Sequence, residues 1–287
     1  MKALYDVPAP AKLNLFLHIT GRRDDGYHRL QSVFMLLDWS DVLHFEGRSD
    51  GQISRTDLNV PLPEDDLIVR AARLLQRFAN VQQGAHISVQ KNLPAQAGLG
   101  GGSSDAASTL LALNRLWGLH LSVPVLAQLA VQLGADVPFF IHGRNAWVEG
   151  IGDEISPLFG EAALPPQTFW VIKPEAGLAT AKIFSDPDLE RQKPAAIISG
   201  FAADHYGFGS NVLQPVAERL CPEISQALRW LADQGLQGRM TGSGSAVFAP
   251  GSRSLDVSSA PKGWTIKQCS NLAVHPLVGW APKEGFV

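Results

Sequence analysis

The residues best suited to chemistry form one run, Leu93-Pro94-Ala95-Gln96-Ala97-Gly98-Leu99-Gly100-Gly101-Gly102-Ser103-Ser104-Asp105. Glycines let backbone N–H groups approach a ligand closely and adopt positive φ. A helix starting there adds unpaired N–H donors and the positive end of its dipole. Together these make a cradle for phosphate. The hydroxyls of Ser103 and Ser104 would reach phosphate or a magnesium-bound oxygen. A capped helix behind a flexible turn is the plain alternative, but four glycines and two serines exceed what a cap needs. Two familiar phosphate motifs are excluded. A P-loop ends in Gly-Lys-Ser/Thr, and no lysine follows these glycines. The dinucleotide fingerprint needs a third Gly or Ala. Counted from Gly100 that position is Asp105, and counted from Gly242 it is Val247.

Three more residues are candidates. Lys12 and Asn14 are polar on a segment whose alternate positions are apolar, and a solvated outer face is the ordinary reading. Asp136, in Leu133-Gly134-Ala135-Asp136-Val137-Pro138, precedes the apolar Phe139-Phe140-Ile141. It reads either as a turn-former or as a general base beside a loop.

These residues need elements to position them. Residues 11–19 alternate, with Ala11, Leu13, Leu15, Leu17 and Ile19 on one face and Lys12, Asn14, Phe16 and His18 on the other. That period predicts a half-buried strand. Residues 21–26 read as a charged turn, and 30–37 and 42–45 as two further strands. Asp65-Asp66 signals the start of a helix over 67–78. A short strand over 86–90 leads into the glycine run, and a helix over 105–117 leaves it. In that helix Ala106, Leu110, Leu113 and Trp117 form one buried stripe. A helix over 125–133 stops at Gly134. Residues 161–167, Glu-Ala-Ala-Leu-Pro-Pro-Gln, mark a boundary between units 1–160 and 161–287. Beyond it come a strand over 169–172, a helix over 224–234, and a second glycine-serine turn with an apolar strand within 239–249. Strands and helices mix without a strict βαβ rhythm, so the class is α+β with two domains.

The chain has 287 residues, 45% of them hydrophobic and 18% charged, which is a globular composition and not a disordered one. With 24 Lys+Arg against 27 Asp+Glu the net charge is −3, so there is no general attraction to nucleic acid or anionic lipid. No apolar run approaches the roughly 20 residues that span a bilayer. Residues 1–14 lack the basic-then-apolar order of a secretory signal. The two cysteines, Cys221 and Cys269, are neither a disulfide framework nor a metal motif, and a reducing cytoplasm is the expected setting. No carboxylate cluster announces a metal site.

Pro10-Ala11-Lys12-Leu13-Asn14-Leu15, the glycine-serine run, the Asp136 segment and Thr241-Gly242-Ser243-Gly244-Ser245 occur in order at characteristic distances. In these motifs the chain resembles the GHMP kinase superfamily. Asp25-Gly26-Tyr27-His28, the run from Gly98 to Ala107 and Gly-Ala-Asp-Val-Pro-Phe-Phe narrow the likeness to members acting on a cytidine-diphosphate-linked methylerythritol. The likeness is dense to about Gly152 and patchier beyond it.

The resemblance implies an N-terminal domain of the ribosomal-protein-S5 kind, a ferredoxin-like C-terminal domain, and an active site in the cleft between them. It implies transfer of the γ-phosphoryl of ATP, with Mg²⁺, to the 2-hydroxyl of 4-diphosphocytidyl-2-C-methyl-D-erythritol, in the non-mevalonate route to isoprenoids. The partner is then a small molecule, with no nucleic acid and no membrane, and the protein a cytoplasmic monomer or homodimer. By the same resemblance Asp136 accepts the proton of the attacking hydroxyl, and Lys12 counters the charge of Asp136 and of the moving phosphoryl. The residues from Pro94 to Ser104 hold the ATP phosphates. Asn14 lies near the methylerythritol hydroxyls. Tyr27 and Phe184 stack on cytosine, one from each domain, His28 reads its polar edge, and Thr180 lines the same pocket. The Gly242–Ser245 turn closes the cleft near Lys12. Asn211 stands where relatives often carry Asn-Asp-Leu but is followed here by valine, and takes no role. Magnesium is held mainly by ATP phosphates, its protein ligands unassigned. Two alternatives stay open. One is a kinase of another small alcohol such as mevalonate, against which Gly26-Tyr27-His28 argues. The other is a nucleotide-binding regulator without catalysis, which would be expected to lose Lys12 or Asp136 first.

Overall fold

A computed structural model of the protein describes residues 2–24 and 26–283. Asp25 of the Asp-Gly-Tyr-His motif and residues 284–287 lie outside the described residues. The chain opens on two long antiparallel strands, β1 (Ala3–Arg22) and β2 (His28–Arg48). Then come β3 (Ile53–Asp57), α1 (Leu67–Ala79), β4 (Gly84–Gln90), α2 (Gly101–Leu116), α3 (Val123–Val131), α4 (Val137–His142), β5 (Ala146–Glu149) and β6 (Glu154–Pro157). The six strands share one sheet. β1 pairs along one edge of β2, and the other edge carries β4 at residues 42–48 and β5 at residues 32–34.

Three expectations need correction here. The segments 30–37 and 42–45 belong to a single strand. The polar residues between them suggest a turn, but they bond elsewhere: Asp38 Oδ1 accepts from Ser270 N at 2.8 Å, and Asp41 Oδ1 from Leu93 N at 2.8 Å. Second, β1 is not half-buried. Its apolar residues Leu13 and Leu15 share a core with Phe169, Val171 and Phe248 of the second domain. Its polar residues Lys12 and Asn14 are 4% and 2% exposed, because the helix layer covers that face. Alternation identifies a strand's two faces and is silent on what covers each. Third, α2 is buried all round from Ser104 to Asn114, not along one stripe, since α1, α3, α4, β1 and β2 all pack against it. It also begins at Gly101, so half of the glycine run is its first turn.

Other starts follow local chemistry. Asp66 caps α1, its side chain accepting from Val69 N at 3.1 Å. Asn80 closes α1 in the left-handed region at φ 49°.

The second half holds β7 (Thr168–Lys173), α5 (Thr180–Phe184), α6 (Ile198–Ala203), α7 (Gln214–Leu220), α8 (Pro222–Asp233), β8 (Arg239–Met240), β9 (Val247–Pro250) and β10 (Thr265–Ser270). The antiparallel order β10-β7-β9-β8 is the ferredoxin-like order. Its second crossover helix is reduced to a three-residue turn, Val257–Ser259. Helices α4 to α7 have five to seven residues each, too short for a 3.6-residue period to show in the sequence. After β10 the chain returns to the first domain. Leu272 N donates to Leu36 O, His275 N to Gly143 O and Val123 N to Pro282 O, each at 2.9 Å. Leu277 and Ala281 lie in the core under the first sheet's helices. Among the described residues no helix is long and apolar enough to cross a membrane.

Candidate active site

Four segments converge where the domains meet. β1 brings Lys12 and Asn14 side by side in the buried sheet, α4 presents Asp136 at its N-terminal boundary, α2 starts from the glycine run, and the Gly242–Ser245 turn joins β8 to β9. Lys12 Nζ donates to Asn14 Oδ1 at 2.5 Å and lies 3.4 Å from Asp136 Oδ2. It also stands 4.5 Å from the centroid of the Phe34 ring. Asn14 is fixed in turn, its Nδ2 donating to Ser32 Oγ at 2.9 Å and its backbone N to Thr241 Oγ1 at 2.8 Å.

The glycines have steric reasons to be glycines. Gly100, at φ 71°, would place a Cβ 3.0 Å from Lys12 Cγ and 3.1 Å from Phe140 Cζ. Gly98, at φ 73°, would drive a Cβ into the carbonyl oxygen of Thr241. The glycine run is therefore packed backbone to backbone against the Thr241–Ser245 turn at Gly98, and its Gly100 backbone lies directly on the lysine stem.

Two cavities adjoin at this point. The smaller, of about 210 Å³, is walled by Lys12, Asn14, Leu17, Leu30, Ser32, Phe34, Asp136, Val148, Phe184 and Leu213. The larger, of about 860 Å³, runs along the loop from Pro94 to Ser103, with Val60, Leu62, Asp66, Leu67 and Lys91 also in its wall. Gly98, Gly100, Thr180 and Ser243 belong to both walls. Thr180 Oγ1 and Ser243 Oγ are 2.6 Å apart, which joins α5 to the Gly242–Ser245 turn. Lys12 and Asp136 thus sit where an acceptor in the small cavity would meet a phosphate in the large one.

The sequence-derived residues separate as follows. Lys12, Asn14, Asp136, Thr180 and Phe184 line the small cavity, and every residue from Pro94 to Ser103 lines the large one. Ser104 lines neither and is fully buried, its Oγ without a partner among the described residues. Tyr27 and His28 are outside both walls, and Tyr27 is 62% exposed. The ring beside Phe184 is His28, with centroids 5.3 Å apart and planes at 32°. Burial, with Arg191 and Arg22 nearby, lowers the His28 pKa and keeps the imidazole neutral.

Two groups escaped sequence reasoning. Lys91 Nζ bridges the carboxylates of Asp41 and Asp105, both buried. Asp41 Oδ1 also accepts from Asn92 N at 2.5 Å. This cluster clasps the entry and exit of the glycine run. Burial pushes the Asp105 carboxyl up to about 7, with Lys91 opposing. Burial also works against the Lys91 ammonium, but Asp105 and Asp41 hold it above the ordinary lysine range. The second group is Asn211, whose Nδ2 donates to Met240 O at 2.9 Å and Gly242 O at 2.8 Å and so braces the Gly242–Ser245 turn. The clasp residues lie 50 and 14 positions apart, so no local pattern announces them.

Among the described residues no three His, Cys, Asp or Glu side chains gather as a metal cluster. Among the oxygen side chains at the cleft, Asp136 and Ser103 suit a hard divalent ion held mostly by phosphates and water.

Comparison with known proteins identifies the family. Residues 66–144 match the family "GHMP kinases N terminal domain" and residues 190–266 match "GHMP kinases C terminal". A curated relative from Paracidovorax citrulli, named 4-diphosphocytidyl-2-C-methyl-D-erythritol kinase, is 64% identical over 284 residues, covering 99% of this chain and 100% of its own. One of the same name from Acidovorax sp. is 66% identical over 280 residues, covering 98% and 99%. A crystal structure of 4-(cytidine 5'-diphospho)-2C-methyl-D-erythritol kinase superposes with a TM-score of 0.74 at 36% identity, over 85% of this chain and 88% of that one. The Methanococcus jannaschii mevalonate kinase, at 14% identity and TM-score 0.68 over 94% and 98% of the two chains, shares the fold.

Proposed function

The chain belongs to the GHMP kinase family, among its 4-diphosphocytidyl-2-C-methyl-D-erythritol kinases, and from that membership we propose how its residues phosphorylate this substrate. The observation that carries the reading is the Lys12–Asp136 pair, 3.4 Å apart at the junction of the two cavities. ATP lies along the large cavity with its phosphates against the backbone N–H groups of the glycine run and the N-terminus of α2. The methylerythritol end of the substrate fills the small cavity, with Asn14 near its hydroxyls. Asp136 accepts the proton of the attacking hydroxyl. Lys12 balances charge as the phosphoryl moves from the leaving diphosphate to the acceptor oxygen. Magnesium supplies charge neutralisation at the phosphates, and Asp136 and Ser103 are the side chains of this chain that would help hold it. Tyr27 and Phe184 flank the cytosine and His28 reads its edge. Tyr27, exposed and outside both walls, meets the base from the solvent side.

Residues 1–160 and 161–287 act as the two jaws, with the tail after β10 strapping them together. The enzyme works in the cytoplasm, where ATP is supplied, and one chain holds every residue assigned here. The bond formed is testable directly. The substrate's carbon 2 carries a methyl group and no hydrogen. Phosphorylation of the 2-hydroxyl therefore gives a monoester whose ³¹P signal lacks three-bond proton coupling. A monoester signal with three-bond proton coupling, read apart from the diphosphate signals that the substrate already carries, would place the phosphate on another hydroxyl and contradict the assignment.

A further inference from the structure

We infer that Arg191 fixes which nitrogen of His28 carries the proton, and through it the choice of cytosine over uracil. The inference rests on the reading of His28 as the residue that faces the base. Arg191 lies between α5 and α6, and its Nε donates to His28 Nε2 at 3.3 Å. A guanidinium has five donors and no acceptor, so His28 Nε2 must be the acceptor. In a neutral imidazole the single proton then resides on Nδ1.

The rest of the guanidinium is already committed, which fixes the direction of Nε. Its Nη1 donates to Leu189 O at 3.1 Å, and its Nη2 to Asp186 O at 2.5 Å and Phe184 O at 3.3 Å. Asp186 is itself held by Arg219 through two contacts of 2.7 Å. The neutral form follows from burial together with the charges of Arg191 and Arg22. Phe184, whose carbonyl takes part in this clamp, puts its ring against His28 and lines the small cavity.

The chemical consequence is a one-way reader. With the proton on Nδ1, His28 offers a donor to the base. Cytosine presents an acceptor at N3 and satisfies it. Uracil carries a hydrogen at N3, so donor would face donor. The other tautomer would accept from uracil instead. Arg191 is thus a positioning residue that sets specificity without touching the substrate.

The first measurement uses the unaltered protein. Histidine ¹⁵N spectra at neutral pH, with the His28 signals assigned through His28→Gln, are expected to show a protonated-type Nδ1 and an unprotonated-type Nε2. A protonated Nε2 overturns the inference. The second is calorimetric titration of CDP, UDP and a non-hydrolysable ATP analogue into wild type, Arg191→Met and Arg191→Lys. Arg191→Met is expected to shrink the CDP-over-UDP preference about tenfold, the effect of one lost hydrogen-bond match, with the ATP analogue bound as before. Arg191→Lys, which keeps a charged donor, retains more of the preference. An unchanged CDP-to-UDP ratio in Arg191→Met, with ATP-analogue binding intact, overturns the inference. Absence of CDP preference in wild type would instead remove the underlying reading of His28.

Discussion

Asp136 and Lys12 differ in exposure, as their proposed roles require. The Asp136 side chain is 32% exposed and opens to the cavity, whereas that of Lys12 is 5% exposed and held by Asn14 and the Phe34 ring. Replacing Asp136 by Asn should therefore keep the fold and ATP binding while lowering kcat by about 10²–10⁴. Steady-state kinetics beside calorimetry of an ATP analogue will decide it, and a kcat within about threefold of wild type would remove the base assignment. Lys12→Met keeps the stem over Gly100 and removes the charge. It should lower kcat by about 10²–10³ while the KM for ATP changes far less, because the contact strengthens as phosphoryl charge develops. A rise in KM alone would make Lys12 a ground-state clamp. At this scale the sequence displays the glycine run unaided. It displays Lys12 as a solvated residue, because alternation along a strand says nothing of the helix laid over its polar face. Asp136 and Phe184 acquire meaning only from partners brought in by other elements.

Helix α2 shows what an element contributes. Its first turn is the glycine run proposed to hold phosphate, and its buried Asp105 belongs to the Lys91 clasp that ties residues 91–93 to the helix. Removing one partner from a buried ion cluster leaves uncompensated charge, so Lys91→Met should cost about 3–5 kcal/mol of stability. The sign with pH follows from the carboxylates. Asp105 is already pushed up to about 7, and losing Lys91 raises it further. The stranded Asp105 binds its proton more tightly folded than unfolded, so the variant's deficit grows as pH rises through neutrality and shrinks on acidification. Melting temperatures of both proteins across that range test this, and a deficit independent of pH would contradict it. Elements with long periodic patterns, such as α1 and α8, are legible in the sequence. The start of α2 is not, because its glycines read as loop, and α4 to α7 are too short to repeat.

Across the whole molecule the tail after β10 is the strap that holds the two halves around the cleft. His275 anchors it, fully buried, its Nδ1 accepting from Leu277 N at 3.1 Å. Burial lowers its pKa from 6.5 to about 4. The unfolded chain then binds the extra proton first, so this stability is complete above pH 6.5 and is lost as pH falls toward 4. His275→Asn, which can still accept from Leu277 N, should flatten the fall in melting temperature over that interval; an identical slope would refute the anchor. The strap is invisible in the sequence, since its partners lie more than a hundred residues upstream. The central claim is that the paired cavities serve a cytidine-linked alcohol and ATP. The most direct test is ADP release from ATP with 4-diphosphocytidyl-2-C-methyl-D-erythritol, mevalonate and homoserine offered separately. The account predicts turnover with the first alone, with one ADP formed per phosphorylated product. Turnover of mevalonate or homoserine with none of the cytidine-linked substrate would contradict it.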